Sequence, residues 1–232
     1  LICRLAEVAL YNIDMNEIIP GFKRSLFYGM SDSIPDIAEF GIDSILNEGF
    51  IKEFPLMSIF VGVKNVAQNL YSRNLLRQTL AFVKDLNNGQ LDKEKKDKYK
   101  KTIEDDPKRA EAELGRVLII LNQNVELAKS KILAAIFQEY INENIDWKTF
   151  CEFSEITRMF FIDDIYDLDT IHCQCTNYIN LLSYGADRLV ALGLVKSSTA
   201  PAIIDDALGL RQSMNLSDIG EKYYKIVSRV LL

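Results

Sequence analysis

The chain has 232 residues, 48% of them hydrophobic and 26% charged, the proportions of an ordinary globular protein with a sizeable core. A formal charge of −6 and a pI near 5.0 exclude a broadly basic surface that would hold nucleic acid nonspecifically, while leaving room for a local basic patch. The longest uncharged apolar stretch, Phe54 to Val63, is about half the ~20 residues of a membrane span.

Almost every segment reads as helix. Ser33 is a capping residue and Pro35 suits a first turn. Ile37, Phe40, Ile45 and Leu46 follow, and Gly49 stands where a C-terminal cap would. After Pro55 a helix is predicted from about Leu56 to Leu86, with Leu75, Leu76, Leu80, Val83 and Leu86 at core spacing and Asn87-Asn88-Gly89 ending it. Freed from the fold, Phe54–Val63 would suit an interfacial helix, which makes a membrane-acting effector a minor alternative.

Residues 91–109 break the pattern, because only Leu91, Tyr99 and Ile103 remain apolar; they read as an exposed helix or a helical hairpin tip. Asp106-Pro107 then restarts the chain as cap and first helical residue, ahead of Leu114, Val117, Leu118 and Leu121. Beyond Asn124, the positions Val125, Ala128, Ile132, Ala135, Ile136 and Tyr140 share one helical face. Asp146 caps a further helix bearing Trp147, Phe150, Phe153, Ile156 and Phe160, continued by Ile162, Ile165, Leu168 and Ile171.

Three clusters invite chemistry. The lysines Lys93, Lys95, Lys96, Lys98, Lys100 and Lys101 form the strongest basic run, although Asp92, Glu94 and Asp97 interrupt it. Lys93, Lys95, Lys96, Lys98, Tyr99 and Lys101 are the expected partner-binding residues. Asp163-Asp164-Ile-Tyr-Asp167 is a DDxxD, whose carboxylates at i, i+1 and i+4 can face a magnesium–diphosphate substrate, as in isoprenoid-type enzymes. Those enzymes need a second acidic motif, and Asp205-Asp206 lacks its third carboxylate. The expectation is therefore a wet helix face formed by Asp163, Asp164, Asp167 and Asp169. His172-Cys173-Gln-Cys175 supplies one metal-ligand pair where structural zinc needs two, with Cys151 the nearest further thiol. The four cysteines, Cys3 included, show no disulfide framework. Reduced thiols, no metal, no cofactor and a cytoplasmic location are expected. No stretch reads as a signal peptide, and the sequence opens on Leu1.

From Asn177 the sequence runs NYINLLSYGADRLVALGLVK. It predicts a helix over Tyr178–Leu192, a strand over Gly193–Ser198, a wing over Thr199–Gly209 and a returning strand over Leu210–Asn215. Ser217 then caps a closing helix, with Gly220 at its third position. This order resembles the winged-helix superfamily, which implies docking on DNA or on another protein. A DNA reader of this kind would use Tyr178, Asn180, Tyr184, Arg188, Lys196 and Arg211. However, six Lys/Arg stand against nine Asp/Glu from Asp163 to Leu232, a net of −3 that repels phosphates.

A second similarity covers residues 35–170. Ile51-Lys-Glu-Phe-Pro-Leu, Ser72-Arg-Asn-Leu-Leu-Arg, Phe82-Val-Lys-Asp-Leu and Asn144-Ile-Asp-Trp-Lys-Thr-Phe resemble small bacterial proteins of prophages and anti-phage defence loci. That resemblance implies a non-enzymatic component and assigns no functional residue. The expected architecture is thus mainly α: a multi-helix domain over 1–145 packed on a module over 146–232 with a small β-wing. The expected function is binding of another protein, with a winged-helix DNA regulator as the alternative and homo-oligomerisation open.

Overall fold

In the computed structural model, residues 15–27, 70–173, 184–204 and 207–232 are described, without the side chains of 15–17, 70–72, 199–204 and 207–212. The described chain is mainly helical: α1 (Met15–Phe27), α2 (Leu70–Asn88), α3 (Lys93–Asp105), α4 (Pro107–Gln123), α5 (Leu127–Ile141), α6 (Trp147–Met159), α7 (Asp164–Cys173), α8 (Tyr184–Ala191) and α9 (Asp218–Leu231). Between α8 and α9 lies a two-stranded antiparallel sheet, β1 (Val195–Ile204) and β2 (Ala207–Leu216). The chain divides into two compact units, Leu1–Ser154 and Glu155–Leu232, and the division falls within α6; the sequence-predicted break at residue 145 is the α5–α6 turn. The predicted helix from Ser33 to Gly49, the stretch Phe54–Val63 and the first part of the Leu56–Leu86 helix lie outside the described residues.

In the first unit α2 packs on α5 and α4, and α1 lies against α4. Leu75, Leu76, Leu80, Val83 and Leu86 are buried, as their spacing predicts, together with Leu114, Val117, Leu118 and Leu121. An aromatic chain crosses this core: Phe22 to Phe82 at 6.0 Å, Phe82 to Phe137 at 5.8 Å, and Phe137 edge-on to Phe150 at 5.4 Å. Truncating a ring such as Phe137 to alanine costs about 3–5 kcal/mol. Asp106 caps α4 as expected, its carboxylate accepting from the Arg109 N–H at 3.1 Å with Pro107 in the first turn. Asp146 likewise accepts from the Thr149 N–H at 2.8 Å, and hydrogen bonding from the Thr149 side chain and then from that N–H holds its carboxyl below the usual range.

The end of α2 is closed by a neighbour. Gln138 on α5 donates its amide to the carbonyls of Asp85 (2.9 Å) and Leu86 (3.3 Å), two of the acceptors a helix C-terminus leaves open. A Cβ on Gly89 would sit 1.8 Å from that Gln138 amide, so the glycine both ends the helix and admits the capping side chain. Val125 departs from the predicted stripe. It precedes α5, is 79% exposed, and contributes its carbonyl, which accepts from Gln78 at 2.9 Å.

In the second unit, Phe160 stands edge-on to Tyr223 at 5.7 Å, while the Tyr223 and Thr157 hydroxyls share a buried hydrogen bond of 3.0 Å. Ile165, Leu168 and Ile171 are buried as their period predicts. Helix α8 closes with Gly193 at φ 73°, the Leu194 N–H donating to Leu189 O (3.0 Å) and Gly193 N–H to Val190 O (2.9 Å). This paired pattern is a Schellman turn, with Leu194 as its buried apolar residue. Ser217 caps α9 as predicted, accepting from Gly220 N–H at 2.9 Å, and its own hydroxyl donates to Gly193 O at 2.6 Å.

Two sequence expectations are corrected here. The segment assigned to a wing is strand: the ladder runs from Val195↔Leu216 out to Ile204↔Ala207, and residues 199–204 and 207–209 belong to it. Thr199, Ile203 and Ile204 are β-branched, and Pro201 is tolerated because every strand of a two-stranded sheet is an edge strand. The aspartates of α7 do not form one wet face. Asp164 is 3% exposed, and Asp169 accepts from the Tyr224 hydroxyl, so two of the four carboxylates turn toward neighbouring helices.

Candidate functional site

On α3, Tyr99 and Ile103 face the core, which fixes where each lysine lies. Lys95 Nζ donates to the Asn142 carbonyl at the end of α5, a cation against the negative end of a helix dipole. Lys98 pairs with Glu143 at 2.6 Å and holds its carboxyl below the usual range. Lys96 donates to Asn87 Oδ1 at 3.0 Å, and partial burial lowers its pKa. Asp92 N–H donates to Asn142 Oδ1 (3.0 Å), and Asn142 donates back to Gln90 O (2.9 Å). Three of the expected contact lysines therefore tie α3 to the ends of α2 and α5. Over 92–106 the exposed charges are Lys93, Lys98 and Lys101 against Asp92, Glu94, Asp97, Glu104, Asp105 and Asp106. The outward face of the lysine-rich helix is acidic in balance.

Tyr99, assigned to the partner surface by sequence, is 7% exposed instead. Its ring lies edge-on to Phe137 and Tyr140 at 5.7 Å, and its hydroxyl donates to Glu113 Oε2 at 2.8 Å. The buried Glu113 also accepts at Oε1 from Arg109 Nε (2.6 Å) and from the Tyr140 hydroxyl (2.9 Å). Arg109 Nη2 closes the loop on the Tyr140 oxygen at 2.9 Å. Burial raises the Tyr140 phenol to about 12 and pushes Tyr99 well above its ordinary value, with Glu113 adding to both. Each carboxylate oxygen and each phenol has a partner, so the cluster joins α3, α4 and α5 and leaves no free base. Sequence reading missed it; the i, i+4 pair Arg109–Glu113 was its only local signal.

In the second unit Asp164 receives Arg188 in a two-pronged contact, Nε to Oδ2 at 2.8 Å and Nη2 to Oδ1. The hydrogen bonds to Asp164 raise the Arg188 pKa. The guanidinium also lies 5.1 Å from the centre of the Phe161 ring. Lys196 stands 3.7 Å from Asp218, and Arg211 takes the register position opposite Ala200. Tyr184 is 84% exposed, whereas Tyr178 and Asn180 lie outside the described residues. Of the residues expected to read DNA, Arg188 is thus held by a carboxylate of its own unit and Lys196 stands beside another.

His172 and Cys173 end α7. The imidazole lies tilted against the Tyr224 ring at 4.2 Å and faces Glu221 at 3.6 Å, and the Tyr224 phenol is pushed up to about 12 by its hydrogen bond to Asp169. Cys151 and Cys173 stand outside any disulfide, Cys173 Sγ lying 3.9 Å from Asp169 Oδ1, while Cys3 and Cys175 lie outside the described residues. Among the described residues no group of three or more His, Cys, Asp or Glu side chains is placed to hold a metal ion. In the DDxxD, Asp163 precedes α7, Asp164 is bound by Arg188, and Asp167 lies against Gly185, where a Cβ would come within 2.0 Å of its Oδ2. Among the described residues no helix is long and apolar enough to cross a membrane. No protein-family profile, curated protein or solved structure matches this chain.

Proposed function

We propose that this chain acts without catalysis, by binding another protein, in the prophage or anti-phage setting that its sequence resemblance implies. The supporting observation is the state of its polar groups. Lys95, Lys96, Lys98 and Arg188, which a polyanion would need, are engaged by the chain's own carbonyls and carboxylates. Releasing them to phosphates would first break these contacts, and the surrounding carboxylates would oppose the approach. Glu113, Asp164 and Asp169, three of the buried or part-buried acids among the described residues, are likewise occupied by donors.

A winged-helix DNA regulator is the second reading, favoured by the order α8, β1, β2, α9 and by the tight joint that Ser217 makes with Gly193 and Gly220. Fluorescence anisotropy with duplex DNA, single-stranded DNA and RNA, titrated from low to physiological salt, separates the two. No binding at low salt is the result expected. Tight binding that weakens steeply with salt overturns the protein-binding reading and puts the DNA regulator first.

A further inference from the structure

Among the exposed large apolar side chains of the second unit, one lies against a cation and a second stands one helical turn before that cation. Phe161 is 50% exposed with its ring under the Arg188 guanidinium, and Tyr184 is 84% exposed one helical turn before Arg188 on α8. Positions i and i+4 share a helix face, and helical side chains lean toward the N-terminus, so Arg188 lies over the turn that carries Tyr184. The bidentate contact with buried Asp164 fixes the guanidinium, which makes the aromatic–arginine–aromatic surface pre-organised. Tyr and Arg are the side chains over-represented where protein interfaces concentrate their binding energy.

The charge around this surface selects the occupant. Arg188 is neutralised by Asp164, and the exposed Asp163 and Asp187 stand two residues after Phe161 and directly before Arg188 in the chain, so the charge beside this apolar centre is acidic. Bases could stack on the rings, but their phosphates would meet these carboxylates. Resting on the protein-binding reading above, we propose that Phe161, Arg188 and Tyr184 form the docking surface for a basic amphipathic polypeptide segment, whose apolar side chain enters between the two rings while flanking lysines or arginines meet Asp163 and Asp187. Complementary rim charges of this kind speed encounter and reject wrong partners, and the aromatic centre supplies the affinity.

The test uses the full chain and a fluorescein-labelled amphipathic peptide with leucine and tryptophan on one helical face and lysine on the other. Two controls carry glutamate in place of lysine, or serine in place of the apolar residues. Saturable one-to-one binding of the lysine–leucine peptide is expected, with both controls at least about tenfold weaker. Tyr184→Ser, Phe161→Ser and the pair Asp163→Lys with Asp187→Lys should each weaken binding by at least about tenfold while circular dichroism remains that of the parent. Tyr184, being the most exposed of them, keeps the test decisive if the Phe161 variant misfolds. Absence of binding, equal binding of the glutamate peptide, or binding that Tyr184→Ser leaves unchanged overturns this surface. Those outcomes leave the protein-binding reading in place, which falls only to salt-sensitive nucleic-acid binding.

Discussion

Replacing Glu113 with alanine removes the one acceptor shared by Tyr99, Tyr140 and Arg109. Tyr99 and Tyr140 are 7% and 9% exposed, so their hydroxyl protons lose a carboxylate without gaining water. A buried donor left without a partner costs about 1–3 kcal/mol, which for two phenols gives roughly 2–6 kcal/mol. That is a large share of the ~5–15 kcal/mol that holds a typical domain folded. Glu113→Gln should cost less, because its remaining carbonyl oxygen can still accept from Arg109 and Tyr140 while the Tyr99 hydroxyl rotates to accept from the new amide. Urea unfolding followed by circular dichroism measures both variants. The decisive comparison repeats Glu113→Ala in a Tyr99→Phe, Tyr140→Phe background, where no phenol proton is stranded and the cost should fall by at least about 1 kcal/mol. An equal cost in the two backgrounds, or a loss under about 0.5 kcal/mol in the parent, would refute the reasoning that the carboxylate is held for its hydrogen bonds.

Three further outcomes follow from the same geometry. The phenols of Tyr140 and Tyr99 both have folded pKa values raised above their unfolded ones, so the Tyr140 contribution to stability is complete below about pH 10 and is lost as pH rises through about 12, while Tyr99 acts in the same direction; unfolding midpoints taken across that window should fall, and the double phenylalanine variant should flatten the slope. Gly220→Ala should destabilise the second unit by about 1–3 kcal/mol, because its Cβ would lie 2.0 Å from the Leu194 carbonyl oxygen; a raised thermal midpoint would show that helix propensity outweighs the close approach. Arg188→Ala leaves buried Asp164 without its counter-ion and should lower the thermal midpoint more than Lys98→Ala does, since the Lys98–Glu143 pair is exposed on both sides; equal shifts would mean that Asp164 is better solvated than its 3% exposure indicates.

Periodicity carried the helices into view because burial repeats with the helical turn. Leu114, Val117, Leu118 and Leu121 all face inward at 0% exposure, and the local caps at Asp106, Asp146 and Ser217 form because a cap depends on three or four adjacent residues. What sequence left hidden depends on partners far along the chain. Gly220 reads as a defect in a capping box until Leu194 O is found where its Cβ would be, 26 residues earlier. The order of elements placed a wing over 199–209, whereas the ladder between residues 195–204 and 207–216 is decided by cross-strand pairing that local composition does not encode.

The charges carry the same lesson into function. A run of lysines is legible in a sequence, but the charge it offers to a partner is what remains after the fold has used some of it. Lys95 and Lys98 meet the end of α5, Lys96 meets Asn87, and Arg188 meets Asp164, all through partners 9 to 47 residues away. Once these cations are engaged, the exposed face of α3 is acidic in balance, and α8 presents Tyr184 one turn from an arginine that Asp164 neutralises and that lies over Phe161. A −6 chain arranged this way has no concentrated positive potential on the described surfaces that sequence nominated. On the proposed protein-binding reading, selectivity toward a partner comes from apolar contact beside acidic side chains, the arrangement proposed for Phe161, Arg188 and Tyr184 with Asp163 and Asp187.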